Sequence, residues 1–309
     1  MSNTIITKDT YGQWGECLFL TNGTVELVVT LDLGPRIIRF GFNGEENLLL
    51  EDTEAKIRQD GEQFDVFGGG GWKLYGGHRL WTSPEASPRT YYPDNNPVSY
   101  ELIENGAIFT ADVEQWNGVQ KTITIQMNPT TGEVTIDHKI VNVNAWPIEL
   151  APWAITVMST DGTAIIPQTS RETGFLPNRI VSLWPYSKMN DPRVTWGDKF
   201  IFIQQDPTEK DSFKLGTNNE AGWAAYYKNN SLFVKYHNHD INVTYPDHNV
   251  SFECYTNDII LELESLGALQ TLQPQEACDH QEKWALIRVT EDLPITDQDL
   301  LEQKLKNLI

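Results

Sequence analysis

Apolar and polar residues alternate with a period of two along most of the chain. The pattern is plain in QKTITIQM, EVTIDHKIVNV, GAIFTADVEQW and IILELESL. TVELVVTLDLG, PRIIRFGF, DKFIFIQQ, SLFVKYHNHDINVTY and VSFECYTND carry the same β-branched and aromatic content. Runs of this kind predict strands with one buried face. Asn, Gly, Asp and Pro separate them, and NPTTGE and KNNS read as hairpin loops. A strand roughly every 8–12 residues predicts an all-β fold, a large antiparallel sandwich or barrel. We expect one domain over residues 1–309. The exception is the tail, TDQDLLEQKLKNLI, which predicts a helix over about 296–308 with Thr296 as its N-cap.

Composition narrows the partners. The chain has 309 residues and a formal net charge of −20, with the acid scattered rather than in one run. That balance argues against nucleic acid and anionic membrane surfaces. The stretch APWAITVM is far too short to span a bilayer, and MSNTIITKDTYGQW lacks the features of a signal peptide, so a cytoplasmic location is the expectation. Cys17, Cys254 and Cys278 are odd in number and far apart, which predicts neither a disulfide framework nor a thiolate metal site. We expect no cofactor and no metal, a small molecule as partner, and a monomer or homodimer.

Residues 68–85, GGGGWKLYGGHRLWTSPE, are the densest chemistry in the sequence. A phosphate cradle is excluded, because Trp-Lys-Leu-Tyr follows the glycines instead of Gly-Lys-Ser/Thr and no helical pattern follows. A Gly-x-Ser-x-Gly elbow is missing as well. The stretch reads instead as a pocket wall. Arg79 offers a rigid fork for hydroxyls or a carboxylate, and Trp72 and Trp81 offer flat apolar faces. Gly76 and Gly77 allow a tight turn, and Lys73, His78 and Glu85 stand close by in the sequence. SLWPYSKMNDPRVTWG reads as a long loop able to fold over a cleft, bringing Trp184, Tyr186 and Asp191; Arg193 and Lys214 are further polar candidates. His237 and His239, two apart on a strand, would share a face as a polar edge or as ligands. Alternation in IILELE puts Glu262 and Glu264 together on one polar face, opposite Leu261 and Leu263.

Three segments, LDLGPRIIRFGFNGEENLL, GGHRLW and YPDHNVSFECYTNDIILELESLGALQTLQPQEACDHQEKWAL, resemble aldose 1-epimerases of the galactose mutarotase-like superfamily. The likeness extends loosely over residues 10–290 and fits a divergent branch. It implies a β-supersandwich with sugars bound in a cleft on the concave face of one sheet. It implies that Glu264 stands at the catalytic carboxylate and that Arg79 grips the sugar. Trp153 or a neighbour occupies the place of the family's mid-chain His, so the acid partner would be His78, His237 or His239. Mutarotation needs a base at the anomeric hydroxyl and an acid at the ring oxygen. The expected function is therefore monosaccharide binding with anomer interconversion. The alternatives are a non-catalytic sugar-binding or sensing protein and, third, glycan cleavage by a carboxylate pair.

Overall fold

A computed structural model describes residues 4–68 and 70–309; Gly69 of the glycine run lies outside the described residues. Among the described residues the strands form two large antiparallel sheets, one 11-stranded and one 10-stranded, and a two-stranded ribbon. The centre of the first sheet is built from His78–Ser83, Ile148–Met158, Leu261–Leu266, Phe252–Thr256 and Phe213–Thr217, hydrogen-bonded in that order. We call these the Arg79, Trp153, Glu264, Glu253 and Lys214 strands. In the second sheet, Ser231–His237, Ala277–Arg288, Glu133–Asn142 and Val119–Met127 are consecutive neighbours.

The sheets pack face to face because each strand keeps its apolar set on one side. Val119–Met127 buries every second residue, including Ile123, Ile125 and Met127. Leu80, Leu261, Leu263, Phe213, Leu215, Phe252 and Cys254 of the first sheet meet Phe109, Ile136, Phe233 and Trp284 of the second in one core. Side chains two apart share a face, so this assignment sends Arg79, Trp81, Glu262, Glu264, Glu253 and Lys214 to the opposite side. The tail forms the helix Gln298–Leu308, which buries Leu301 and Leu305 against the outer face of the second sheet. Its N-cap is Asp297, not Thr296: the Asp297 side chain accepts from Leu300 N at 3.1 Å. No helix among the described residues is long and apolar enough to cross a membrane. The three cysteines are free and buried.

Gly76 and Gly77 have one physical task, a close backbone approach. Their φ angles are +101° and +63°, and a Cβ on either would lie 2.1 Å from a carbonyl oxygen, of Leu50 and Ile37 respectively. Gly77 donates to Leu50 O at 2.9 Å and accepts from Val157 N at 2.9 Å, which locks the entry to the Arg79 strand. Gly77→Ala combines a disfavoured φ with a backbone clash, so it should cost more than about 1 kcal/mol. Urea denaturation measures this, and an unchanged midpoint would contradict it.

Candidate functional site

Strand register assembles the outer face of the first sheet. Arg79 lies opposite Ile155, Ile155 opposite Glu264, and Glu264 opposite Glu253. One step along, Trp81 faces Trp153 and Trp153 faces Leu266. On the other side, Val157, Glu262, Tyr255 and Lys214 form a third row. Directly opposed residues of antiparallel strands share a face and touch. Five strands thus bring together residues more than 180 positions apart.

A cavity of about 320 Å³ lies over these rows, within the ~300–1,000 Å³ usual for small-molecule sites. Arg79, Glu262, Lys214, Glu85, Ser212 and Asn257 supply its polar lining. Its walls are aromatic. The Trp81 ring centroid lies 5.3 Å from Trp72, 5.1 Å from Tyr91 and 5.6 Å from Trp153, with edge-to-face or tilted geometry. Trp184 and Tyr186 come from the connection after Val181–Leu183 and complete the lining.

Two cations sit in this frame, each held by carboxylates and rings. The Arg79 guanidinium lies 4.3 Å over Trp81 and 5.7 Å from the centre of Trp72, and Nη2 donates to Glu262 Oε1 at 3.0 Å. Arg79 is 3% exposed, yet its Nε and Nη1 have no hydrogen-bond partner. Lys214 Nζ lies 2.7 Å from Glu253 Oε2 and 2.9 Å from Glu264 Oε2, between the Trp153 and Trp184 rings at 4.6 and 4.7 Å. Burial alone would discharge this ammonium, but the two carboxylates outweigh it and hold its pKa well above the usual lysine range. Burial also raises the Glu253 and Glu264 carboxyls, and one lysine offsets only part of that. Two buried carboxyls sharing one cation favour retention of a proton between them.

The sequence candidates divide clearly. Arg79, Trp72, Trp81, Trp153 and Glu85 line the cavity. Glu264 lies beneath the lining, fully buried, with Oε2 accepting from Trp153 Nε1 at 2.8 Å; Glu262 is the carboxylate of that strand that lines the cavity. His78 is on the opposite face from Arg79, because adjacent strand residues alternate. It sits in the inter-sheet core with Nε2 2.7 Å from His138 Nε2 and Nδ1 2.9 Å from Thr156 Oγ1. His237 is also in the core, stacked on Phe252, while His239 lies beyond the strand end on Tyr245 and 2.7 Å from Ser251 Oγ. The two therefore do not share a strand face. Lys73 is exposed on the ribbon opposite Arg58, and Asp191 pairs with Arg193 at 2.8 Å; neither lines the cavity. No histidine lines the cavity among the described residues.

Sequence reasoning missed Glu253, Tyr91 and Tyr255. FECYT alternates just as IILELE does, so Glu253 and Tyr255 were within reach of the pattern. Tyr91 lies in a short 3₁₀ turn, where no periodicity marks a facing direction.

The inter-sheet polar cluster is separate. Lys235 Nζ contacts Glu282 Oε1 at 2.8 Å, Ala154 O at 2.8 Å, Leu263 O at 2.9 Å and Thr156 Oγ1 at 3.0 Å. Donor atoms of His78, His138 and Glu282 lie within 4.8 Å of one another. Lys235 already neutralises the carboxylate, so the trio reads as a structural network rather than a cation site.

No family model matches the sequence, and no curated protein matches it. Solved structures do match in fold. A proposed aldose 1-epimerase from Klebsiella pneumoniae superposes with a TM-score of 0.61 at 12% identity, covering 97% of this chain and 87% of that one. The Slr1438 protein from Synechocystis gives 0.56 at 10% identity, covering 94% and 98%. A galactose mutarotase-like protein from Clostridium acetobutylicum gives 0.55 at 9% identity, covering 94% and 100%. Nearly end-to-end superposition at such low identity concerns the backbone alone, and on that ground the chain has the galactose mutarotase-like fold.

Proposed function

We propose that the cavity over the Arg79 and Glu264 strands binds a monosaccharide or sugar derivative, and that its chemistry is anomer interconversion. The observation that carries this reading is Arg79: a guanidinium of the cavity lining, framed by Trp72 and Trp81, with two buried donors that no protein group partners. Buried donors left unpaired are costly, so they call for a ligand rich in acceptors. Aromatic walls suit the C–H faces of a pyranose, and its hydroxyls suit the polar groups of the lining.

For the chemistry, Glu262 is the base within reach of the cavity. Paired with Arg79 at 3.0 Å, it would accept the proton of the anomeric hydroxyl. The open aldehyde then turns and recloses, returning the proton. Lys214, the lining's second cation, is placed to stabilise charge developing at the ring oxygen, with the Glu253–Glu264 pair as the proton source behind it. A binding-only role is the second reading, and the absence of a lining histidine among the described residues favours it.

Exchange of pure α- and β-anomers, followed by NMR across a panel of aldoses, separates the two. Catalysis predicts faster exchange with the wild-type protein and a loss of at least ~100-fold in Glu262→Gln, the usual scale for a general base. Saturable binding with no acceleration for any aldose would leave the binding-only reading.

A further inference from the structure

The charges around the cavity are not balanced, and the imbalance bears on which sugars it admits. Arg79 is neutralised by Glu262 at 3.0 Å. Lys214 is neutralised within 3 Å by two carboxyls, Glu253 and Glu264. Neither lining cation has spare charge for an incoming anion. Glu85 is the remaining ionisable carboxylate of the lining. It sits exposed beside the ring of Tyr91, whose hydroxyl donates to it, and it has no cationic partner among the described residues. Arg89, the cation nearest in sequence, turns its guanidinium to the Pro84 carbonyl and is outside the lining, as is Lys73 on the ribbon.

We infer that Glu85 sets a charge filter on this site: it excludes sugar phosphates and uronates, and it favours neutral sugars and above all amine-bearing ones. The inference rests on the sugar reading above and adds the ligand's charge class. An anionic substituent would meet Glu85, a carboxylate of the lining that no cation offsets, and like-charge juxtaposition is unfavourable. An ammonium group would meet a free carboxylate and electron-rich aromatic faces, a combination that attracts cations. The hydroxyls common to all these sugars would still meet the polar groups of the lining.

The test uses the full chain and four matched probes: D-galactose, D-galactosamine, D-galacturonate and galactose 6-phosphate, with the gluco series alongside. Calorimetric titration should rank the amino sugar at or above the neutral parent, with both anionic forms at least ~10-fold weaker. In Glu85→Gln the affinity ratio of galactosamine to galacturonate should shrink several-fold. A ratio is read, so a general weakening of binding does not mimic the result. An anionic probe binding as tightly as its neutral parent would overturn the filter while leaving the sugar reading intact. An unchanged ratio in Glu85→Gln would remove Glu85 as its source. Absence of binding by every probe would overturn both.

Discussion

Lys235→Met should destabilise the protein by about 3–5 kcal/mol, the cost of removing one partner of a buried ion pair. Lys235 and Glu282 are both fully buried, and their contact closes a network joining the two sheets. Lys235 reaches from Ser231–His237 in the second sheet to the carbonyls of Ala154 and Leu263 in the first. Glu282 also accepts from Trp284 Nε1 at 2.9 Å and from Ser265 Oγ. Without the ammonium the carboxylate stays buried and loses its countercharge. Pairing Lys235→Met with Glu282→Gln should recover part of the loss, because the orphaned charge disappears. Equilibrium urea unfolding reads both variants. A single-variant loss below about 1 kcal/mol would contradict this account.

The second large effect is acid lability. His78, His138, His237 and His280 are buried and neutral. Burial lowers all four, His78 well below the ordinary histidine range, His237 to about 4 and His280 to about 3. Their folded values lie below the unfolded value of ~6.5, so below that pH the unfolded chain binds protons that the native state refuses. Stability is therefore highest above this pH and declines as pH falls toward the folded values. Glu253 and Glu264 act oppositely, since their raised pKa values let the native state hold up to two extra protons. His239 is lowered as well, so five histidines stand against at most two carboxyls, and the net effect is a stability that falls as pH drops below about 6.5. His237→Phe isolates one histidine. Neither ring nitrogen of His237 has a partner, and the ring stacks 5.8 Å from Phe252, so Phe removes a titration without removing a hydrogen bond. Its stability should fall by about 1.4 kcal/mol less per pH unit than wild type. An identical pH slope would contradict the assignment.

Local pattern made the elements readable, and long-range register did not follow from it. The alternation of Val119–Met127 is matched residue for residue by burial. KNNS forms the tight hairpin that its composition predicts, with Asn229 and Asn230 at φ +47° and +59°. Alternation also placed Glu262 and Glu264 on one face. It could not tell whether that face met water or a cavity, because the covering residues Ile57, Trp72 and Trp184 come from distant segments. The stretch GGHRLW sets His78 and Arg79 side by side in the sequence, as candidates for one site. It is a strand, and a strand sends neighbours to opposite sides. His237 and His239 fail as a pair for a related reason, since the strand ends at His237 and the period of two ends with it.

Intrinsic tryptophan fluorescence during titration with monosaccharides tests the central claim most directly, because Trp72, Trp81, Trp153 and Trp184 all line the cavity. The account predicts a saturable change with at least one sugar, weakened by ~10-fold or more in Arg79→Gln through loss of charge-assisted hydrogen bonds. A flat response across the whole panel, or a saturable response unaffected by Arg79→Gln, would contradict it.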